Sequence, residues 1–559
     1  MKKMFGFKRS SVSRSSSLRR RRALRRSTMA SLFLEHLEDR RMLATLDFSG
    51  GAINYDGSAA GNTLAVELDG TNYRFTDTEA ITVTGSQAGN VTGSGTMVVL
   101  APINLVTSID IDLLSGADAV TLADLTLTGN LSVTAENVTL NGQVKSGDTV
   151  AIHANGGAIT DNNTNDPDIV ATNVSLTAST GIGKLTDANP TLEINASNLN
   201  ATTVTGGVFI TDTGGGVSLG AVSAGAGFIT LTALNGAMTD GNGAAVNLTA
   251  ADGVSLTTTG TNSAIGTAGD ALETAIGSLN VTTNDGGVYI ADSNGPGMII
   301  NSILAKEGGK TPFLNGNNRI VLDDNNTPGT KDVSISAQGD ILLNTVTAPD
   351  LVTITSATGR ILDINQASNN ILARGQNLVA NGTVGHEGDA IDSTVETFSA
   401  STVDGPIFLS QLISNTAASV VAGGAGNNVL VTSTGATLSV QTISAQGVVT
   451  VENAGGALLD SNGATVNITG SVVNLTGASG IGTASDPLET NTAELKTTVS
   501  AAAAGITPAA STYVNNRNGA LVAMNSISAT TNAGDVAINF LGGSLTFAAS
   551  TQLFNAAGA

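Results

Sequence analysis

From about residue 45 onward, apolar and polar residues alternate in short runs: "VSLTA" at 174–178, "GVFITD" at 207–212, "GVSLG" at 216–220 and "FITLTA" at 228–233. Strict alternation puts the two sets of side chains on opposite faces of a strand. Each run therefore predicts a β-strand with a buried aliphatic face and a solvated Thr/Ser/Asn face. The runs are bounded by Gly, Asn, Asp and Ser, which supply turns and positive-φ corners. No helical period is sustained over 12 residues. The expected structure is strand and turn almost throughout.

The runs recur in a fixed order. "SNLNATTVTGGVFITDT" at 197–213 matches "GSLNVTTNDGGVYIADS" at 277–293 at nine of 17 positions, and "AIGTAGDALET" at 264–274 matches "GIGTASDPLET" at 480–490. A third element appears as "GGAITD" (156–161), "NGAMTD" (235–240), "GRILD" (359–363) and "GGALLD" (455–460). Such units are too long to be single turns of a solenoid, yet each holds several strands. They predict an all-β right-handed parallel β-helix, a β-solenoid of roughly 20–27 residues per coil, in which each coil contacts mainly its neighbours. A β-propeller is the chief rival, but its usual aromatic or Trp-Asp blade marks are missing.

Composition agrees with a solenoid. The chain has 559 residues, 41% hydrophobic but only 3% aromatic, with no Trp and no Cys. Val, Ile, Leu and Ala must fill the core, and thiolate metal sites and thiol catalysis are excluded. No run reaches 18 apolar residues, so no transmembrane helix is expected.

Charge divides the chain. Residues 1–44 hold 13 Lys/Arg and 3 Asp/Glu, a balance of +10; the remainder holds 11 (24 − 13) and 42 (45 − 3), a balance of −31. The head is an Arg/Ser-rich segment expected to be disordered. Three readings suit it: a nucleic-acid-binding tail, a solvated tail, or an export leader. Few aromatics for base stacking and an acidic body behind it oppose the first, and no nucleic-acid partner is expected. As a leader it is atypical, because the apolar run "MASLFL" is short and is followed by Glu35 and His36.

The end of this head, "LEHLEDRRMLA", resembles the LEPR-XLL segment of large planctomycete secreted and surface proteins, whose core reads approximately L-E-x-R-x-L-L. Leu37, Glu38, Arg40 and Leu43 match; Asp39 replaces the usual Pro and Met42 a Leu. The resemblance implies a sorting motif, export to the envelope or beyond, and processing near Leu43–Ala44. The alternative is a short amphipathic helix with Glu38 and Arg41 paired. The repeats in turn resemble filamentous-haemagglutinin-like bacterial surface adhesins that fold as right-handed β-helices. No NPNL-type secretion motif accompanies them ("ANPTL" at 188–192 is not one), and no C-terminal barrel is visible.

The expected organisation is a basic leader at 1–44, a β-rich cap or first coils at 45–128, and a solenoid at 129–559. The last coil has no evident polar cap, as if the array were truncated there.

Candidate chemistry is sparse. His36, His153 and His386 are isolated and carry no zinc-ligand spacing. Since β-helices also serve pectin-cleaving enzymes, Asp323–Asp324 in "VLDDNNTPGTKD", with Lys331 nearby, is the best acid pair. Neighbours on a strand would point to opposite faces, so loop punctuation is the preferred role. "GHEG" at 385–388 is not the Gly-His-Gly of polygalacturonases.

Calcium is the strongest metal expectation. The oxygen-rich loops are "DNNTNDPD" (161–168), "TDGNG" (239–243), "DSNG" (292–295 and 460–463) and "SGADAVTL" (115–122). No EF-hand spacing or tandem G-G-x-G-x-D array supports it, so metal-free Asn/Asp/Gly turns remain the alternative and no residue is assigned as a ligand.

The expected function is a non-catalytic, secreted or cell-surface adhesin-like protein of a bacterial envelope. Its partners would be surface or matrix polymers and other envelope proteins. A polysaccharide-acting lyase or hydrolase on the same fold is the alternative.

Overall fold

Val120, Val138, Ile159, Ile182, Val208, Ile229, Val254 and Leu279 stand one above another as register partners in successive parallel strands. None of them is more than 2% exposed. Full burial of an aliphatic side chain is worth roughly 1.5–3 kcal/mol, so such a column is what holds the rungs together. Ile109, Leu131, Val150, Val174, Leu199 and Leu219 form a second column of the same kind. Ile229, Val254 and Leu279 follow one another at intervals of 25 residues (254 − 229 and 279 − 254), inside the coil length expected from the repeats.

This is a computed structural model. It describes residues 43–559 apart from 165–166, 184–190, 500–510, 519–521, 524–527, 532–534, 543–544, 547–553 and 557–559. The described chain is all-β, a parallel β-solenoid of about 17 turns, as the alternation and repeats predict. The basic head, with Leu37, Glu38 and Arg40 of the sorting motif, lies outside the described residues. Leu43 begins them, half exposed.

The N-terminal end is built differently. Ala44–Ser49 and Ala52–Asp56 pair antiparallel, as do Thr63–Asp69 with Asn72–Thr84 and Asn72–Thr84 with Thr96–Pro102. The parallel stack starts where Ala52–Asp56 meets Ser108–Asp112 and Thr63–Asp69 meets Ala119–Ala123. An unpartnered first rung would expose backbone groups and the end of the aliphatic column. Here Phe48, Tyr55, Tyr73 and Phe75 are fully buried at that end, with the Tyr55 and Phe75 rings stacked at 6.2 Å. The Tyr55 hydroxyl donates to Asp77, which also accepts from Asn62 Nδ2 at 3.1 Å, so the buried phenol is satisfied.

One rung carries an outgrowth between Leu304 and Val333. It contains a short antiparallel pair, Phe313–Leu314 with Ile320–Val321. Its Ile320 N–H donates to Glu396 Oε1 at 2.9 Å, tying it to a later rung.

Candidate functional site

Each rung presents three strand segments, and the corner between two of them opens and closes in a cycle. Leu199 and Ala201 are two residues apart; their partners Leu219 and Val222 are three apart, a β-bulge. The partners of those, Asp240 and Leu248, are eight apart. In the following rung residues 266–271 loop out between Ile265 and Leu272, and both flanks abut Val288–Asp292, where the strand is continuous again. A bulge therefore seeds a corner that widens over two rungs and is then closed.

Four corners widen and close in this way among the described residues, three of them from a β-bulge. The others widen at Asp161–Asp168, Asp363–Asn370 and Asp460–Asn467, and close on Val208–Asp212, Ile407–Gln411 and Thr512–Asn516. They alternate between two faces. Val208 leads up its column through Ile229 and Val254 to Leu279, where the bulge of the third cycle sits. Val288 leads through Val333, Val352 and Gln376 to Phe398, where the fourth begins. When one face merges two segments into a long strand, another splits, so three segments per rung persist. The 80-residue sequence repeat (277 − 197) is thus real, but its copies lie on different faces.

All four widened corners share one side-chain pattern, Asp-x-Asn-x4-Asn/Asp: "DNNTNDPD", "DGNGAAVN", "DINQASNN" and "DSNGATVN". In each, Oδ1 of the first Asp accepts the backbone N–H two residues on, at 2.8–2.9 Å. The eighth residue bridges rungs. Asn247 Nδ2 donates to Asp240 Oδ1 (2.7 Å), Asn242 Oδ1 (2.9 Å) and Leu219 O (2.8 Å) of the rung before, while its Oδ1 accepts the Glu273 N–H (2.9 Å) of the rung after. Asn370 and Asn467 repeat this, with Asp392 and Glu489 in the place of Glu273. Asn247, Asn370 and Asn467 are fully buried, and each amide pairs with a carbonyl of the rung before and an N–H of the rung after, groups that the open corner would otherwise orphan.

The first corner departs. Asp168 stands in the bridging position, its Oδ2 accepting the Glu193 N–H (3.0 Å) and its Oδ1 accepting from Asn163 Nδ2 (2.6 Å). One oxygen each from Asp161, Asp168 and Glu193 lie within 4.8 Å of one another. Burial first, and then the Asp161 and Glu193 carboxylates, push Asp168 up to about 8.

The strands that close the first two corners end in buried acids. Asp212 and Asp292 accept the N–H of Ala196 (3.2 Å) and Ile276 (3.0 Å); Gln411 and Asn516 occupy the same place in the other two. Burial holds the Asp212 carboxyl above the usual carboxylate range, and its Oδ2 has no hydrogen-bond partner. A raised folded-state value means the folded chain binds the proton more tightly than the unfolded chain. Stability is therefore lost as pH rises from the ordinary Asp value, about 4, through the raised one. Asp212→Asn is expected to melt about 1–2 °C higher than the parent at pH 7, with the two curves converging near pH 4; thermal unfolding across that range checks this.

The other expected site residues are dispersed. Asp323 and Asp324 lie in the loop that follows the short antiparallel pair, not on a strand. Asp323 pairs with Lys310 Nζ at 2.7 Å, and that contact holds its carboxyl down at about 2. Lys331 faces Asp285 at 3.8 Å instead. His153 is an exposed strand residue between Thr134 and Thr177, and His386 lies in the looped-out segment of the third cycle. Asp118 accepts the Asn62 N–H at 2.7 Å in the N-terminal cap.

Of the oxygen-rich loops, 161–168, 239–243 and 460–463 fall on widened corners. Sequence reasoning missed the fourth, Asp363–Asn370, and every carboxylate supplied by the next rung. The legible signal was the seven-residue Asp-to-Asn/Asp spacing followed by an Ile/Val-Gly…Leu/Ile-Glu/Asp element. Among the described residues no helix is long and apolar enough to cross a membrane. No family model, curated protein or solved structure matches this chain.

Proposed function

We propose that this chain is a secreted or cell-surface structural protein of a bacterial envelope, a solenoid whose flanks attach to surface or matrix polymers. The observation that carries this reading is the polar ladder on those flanks. Asp148, Asn173 and Asn198 stack in consecutive rungs with side-chain contacts of 3.0 and 2.9 Å, and Thr139 meets Thr160 at 3.2 Å. Polar side chains of similar length repeated at the rung spacing, about 4.8 Å, suit a polymer with many weak, regularly spaced polar groups. Aromatic poverty disfavours ring-stacking on sugars and favours hydrogen-bonded or cation-bridged contact. The LEPR-XLL-like leader supports export.

N-terminal sequencing of protein from the cell surface and the medium is expected to begin near Leu43–Ala44. An intact Met1 on protein confined to the cytoplasm would defeat the export half of the reading. A polysaccharide-acting enzyme would turn over acidic glycans and lose that activity in Asp324→Ala, and such turnover would defeat the structural half.

A further inference from the structure

At the second, third and fourth corners the bridging amides hold the backbone but leave carboxylate oxygens without donors. At the third corner Asp363 is 8% exposed, and its Oδ1 takes both available donors. Its Oδ2 is buried with no hydrogen-bond partner. The charged group that faces Asp363 is another carboxylate, Asp389 on the looped-out segment of the next rung. Asp392 stands on the same rung, near both Asp363 and the Ser410 hydroxyl.

The fourth corner is built alike. Glu489 is 3% exposed; its Oε1 accepts from Asn515 Nδ2 (3.0 Å) and faces Arg517 (3.6 Å), but its Oε2 has no partner, the Oδ2 of Asp460 has none, and Asp486 comes within hydrogen-bonding reach of Asp460. At the second, Asp240 Oδ2 and Glu273 Oε2 are both buried without a partner, and Asp270 reaches Asp240. Donors reach some oxygens of these acids, but Asp240 Oδ2, Glu273 Oε2, Asp363 Oδ2, Asp460 Oδ2 and Glu489 Oε2 have none, and carboxylates converging in this way repel unless a proton or a cation lies among them.

We infer that the widened corners are divalent-cation sites, each binding a hard ion, calcium, through carboxylates of two successive rungs. The donors are oxygen only, which suits calcium and excludes softer metals. Two or three carboxylates leave several of the six to eight positions to water, as in sites of modest affinity. The looped-out segments Gly266–Ala271, Gly385–Ala390 and Gly482–Pro487 each place their Asp against the corner below. An ion there would fasten the loop to the stack and neutralise charge in a −31 body. At the first corner Asp168 replaces the bridging Asn, and the three acids Asp161, Asp168 and Glu193 are gathered within 4.8 Å. Because the cycle alternates faces, the ions would lie in two rows, two on each.

Titration calorimetry on the full chain, stripped with chelator and then given calcium or magnesium alone, tests this. Calcium is expected to bind with a stoichiometry of up to four and half-saturation at roughly 0.1–1 mM. It should raise the melting temperature, an effect reversed by chelator. Asp389→Asn with Asp392→Asn should remove one ion, and Asp486→Asn should weaken a second about tenfold, with far-UV circular dichroism unchanged. The inference is overturned by no calcium uptake at about 10 mM, by a stoichiometry that these substitutions leave intact, or by magnesium binding as tightly as calcium. None of these outcomes depends on where the protein resides or what its flanks hold.

Discussion

Leu256→Asp is expected to cut the solenoid in two. Leu256 is wholly buried, with Leu231 in the rung below and Val281 in the rung above as its register partners. A carboxylate in that column has no donor and no counter-charge, and the loss should reach roughly 4–5 kcal/mol, the upper end for single substitutions. In a repeat array the damage is not shared equally, because each rung is held by its neighbours alone. Limited proteolysis should therefore nick the variant near residues 250–262 and release two protected fragments, from the parts before and after that rung. Digestion of the whole chain at one rate would instead mean that all rungs unfold as a single unit.

Gly266→Ala is expected to be nearly as damaging although it adds one methyl group. Gly266 opens the looped-out segment of the second corner at φ +63°, and a Cβ there would lie 2.4 Å from the Tyr289 carbonyl oxygen. Gly183, Gly385 and Gly482 occupy the same place at the other corners, with φ of 69°, 70° and 61°. In each, a Cβ would meet the carbonyl oxygen of the aromatic residue on the closing strand, Phe209, Phe408 or Tyr513, at 2.3–2.4 Å. Left-handed strain and a backbone clash together should cost about 3 kcal/mol. The readout is thermal unfolding together with hydrogen exchange, in which amides of Val288–Asp292 should lose protection before those of Val120 or Val138.

Much of the architecture was legible in the linear pattern. The alternation in "VSLTA" and "FITLTA" announces one buried and one solvated face, and Val174, Leu176, Ile229 and Leu231 are buried as that period requires. Periodicity is a local property, set by the two-residue repeat of a strand, so it survives without knowledge of the fold. The recurring "GGAITD", "IGTAGDALET" and "GGVFITD" elements likewise revealed a unit longer than one coil. The meaning of that unit was not legible. Asp240, Asn247 and Glu273 are separated by seven and 26 residues, and no one-dimensional spacing says that they meet.

Local chemistry therefore determined the strands, the aliphatic core and the stacking habit of this protein, because backbone pleat and side-chain hydrophobicity act over a few residues. Tertiary structure alone decided which polar residues became a site. Contacts between rungs depend on the number of residues looped out in between, and a bulge of one residue at Leu199–Ala201 shifts everything after it. Only the stacked chain brings Asp363 under Asp389 and gathers Asp161, Asp168 and Glu193, because burial and charge repulsion belong to neighbours in space, not along the chain.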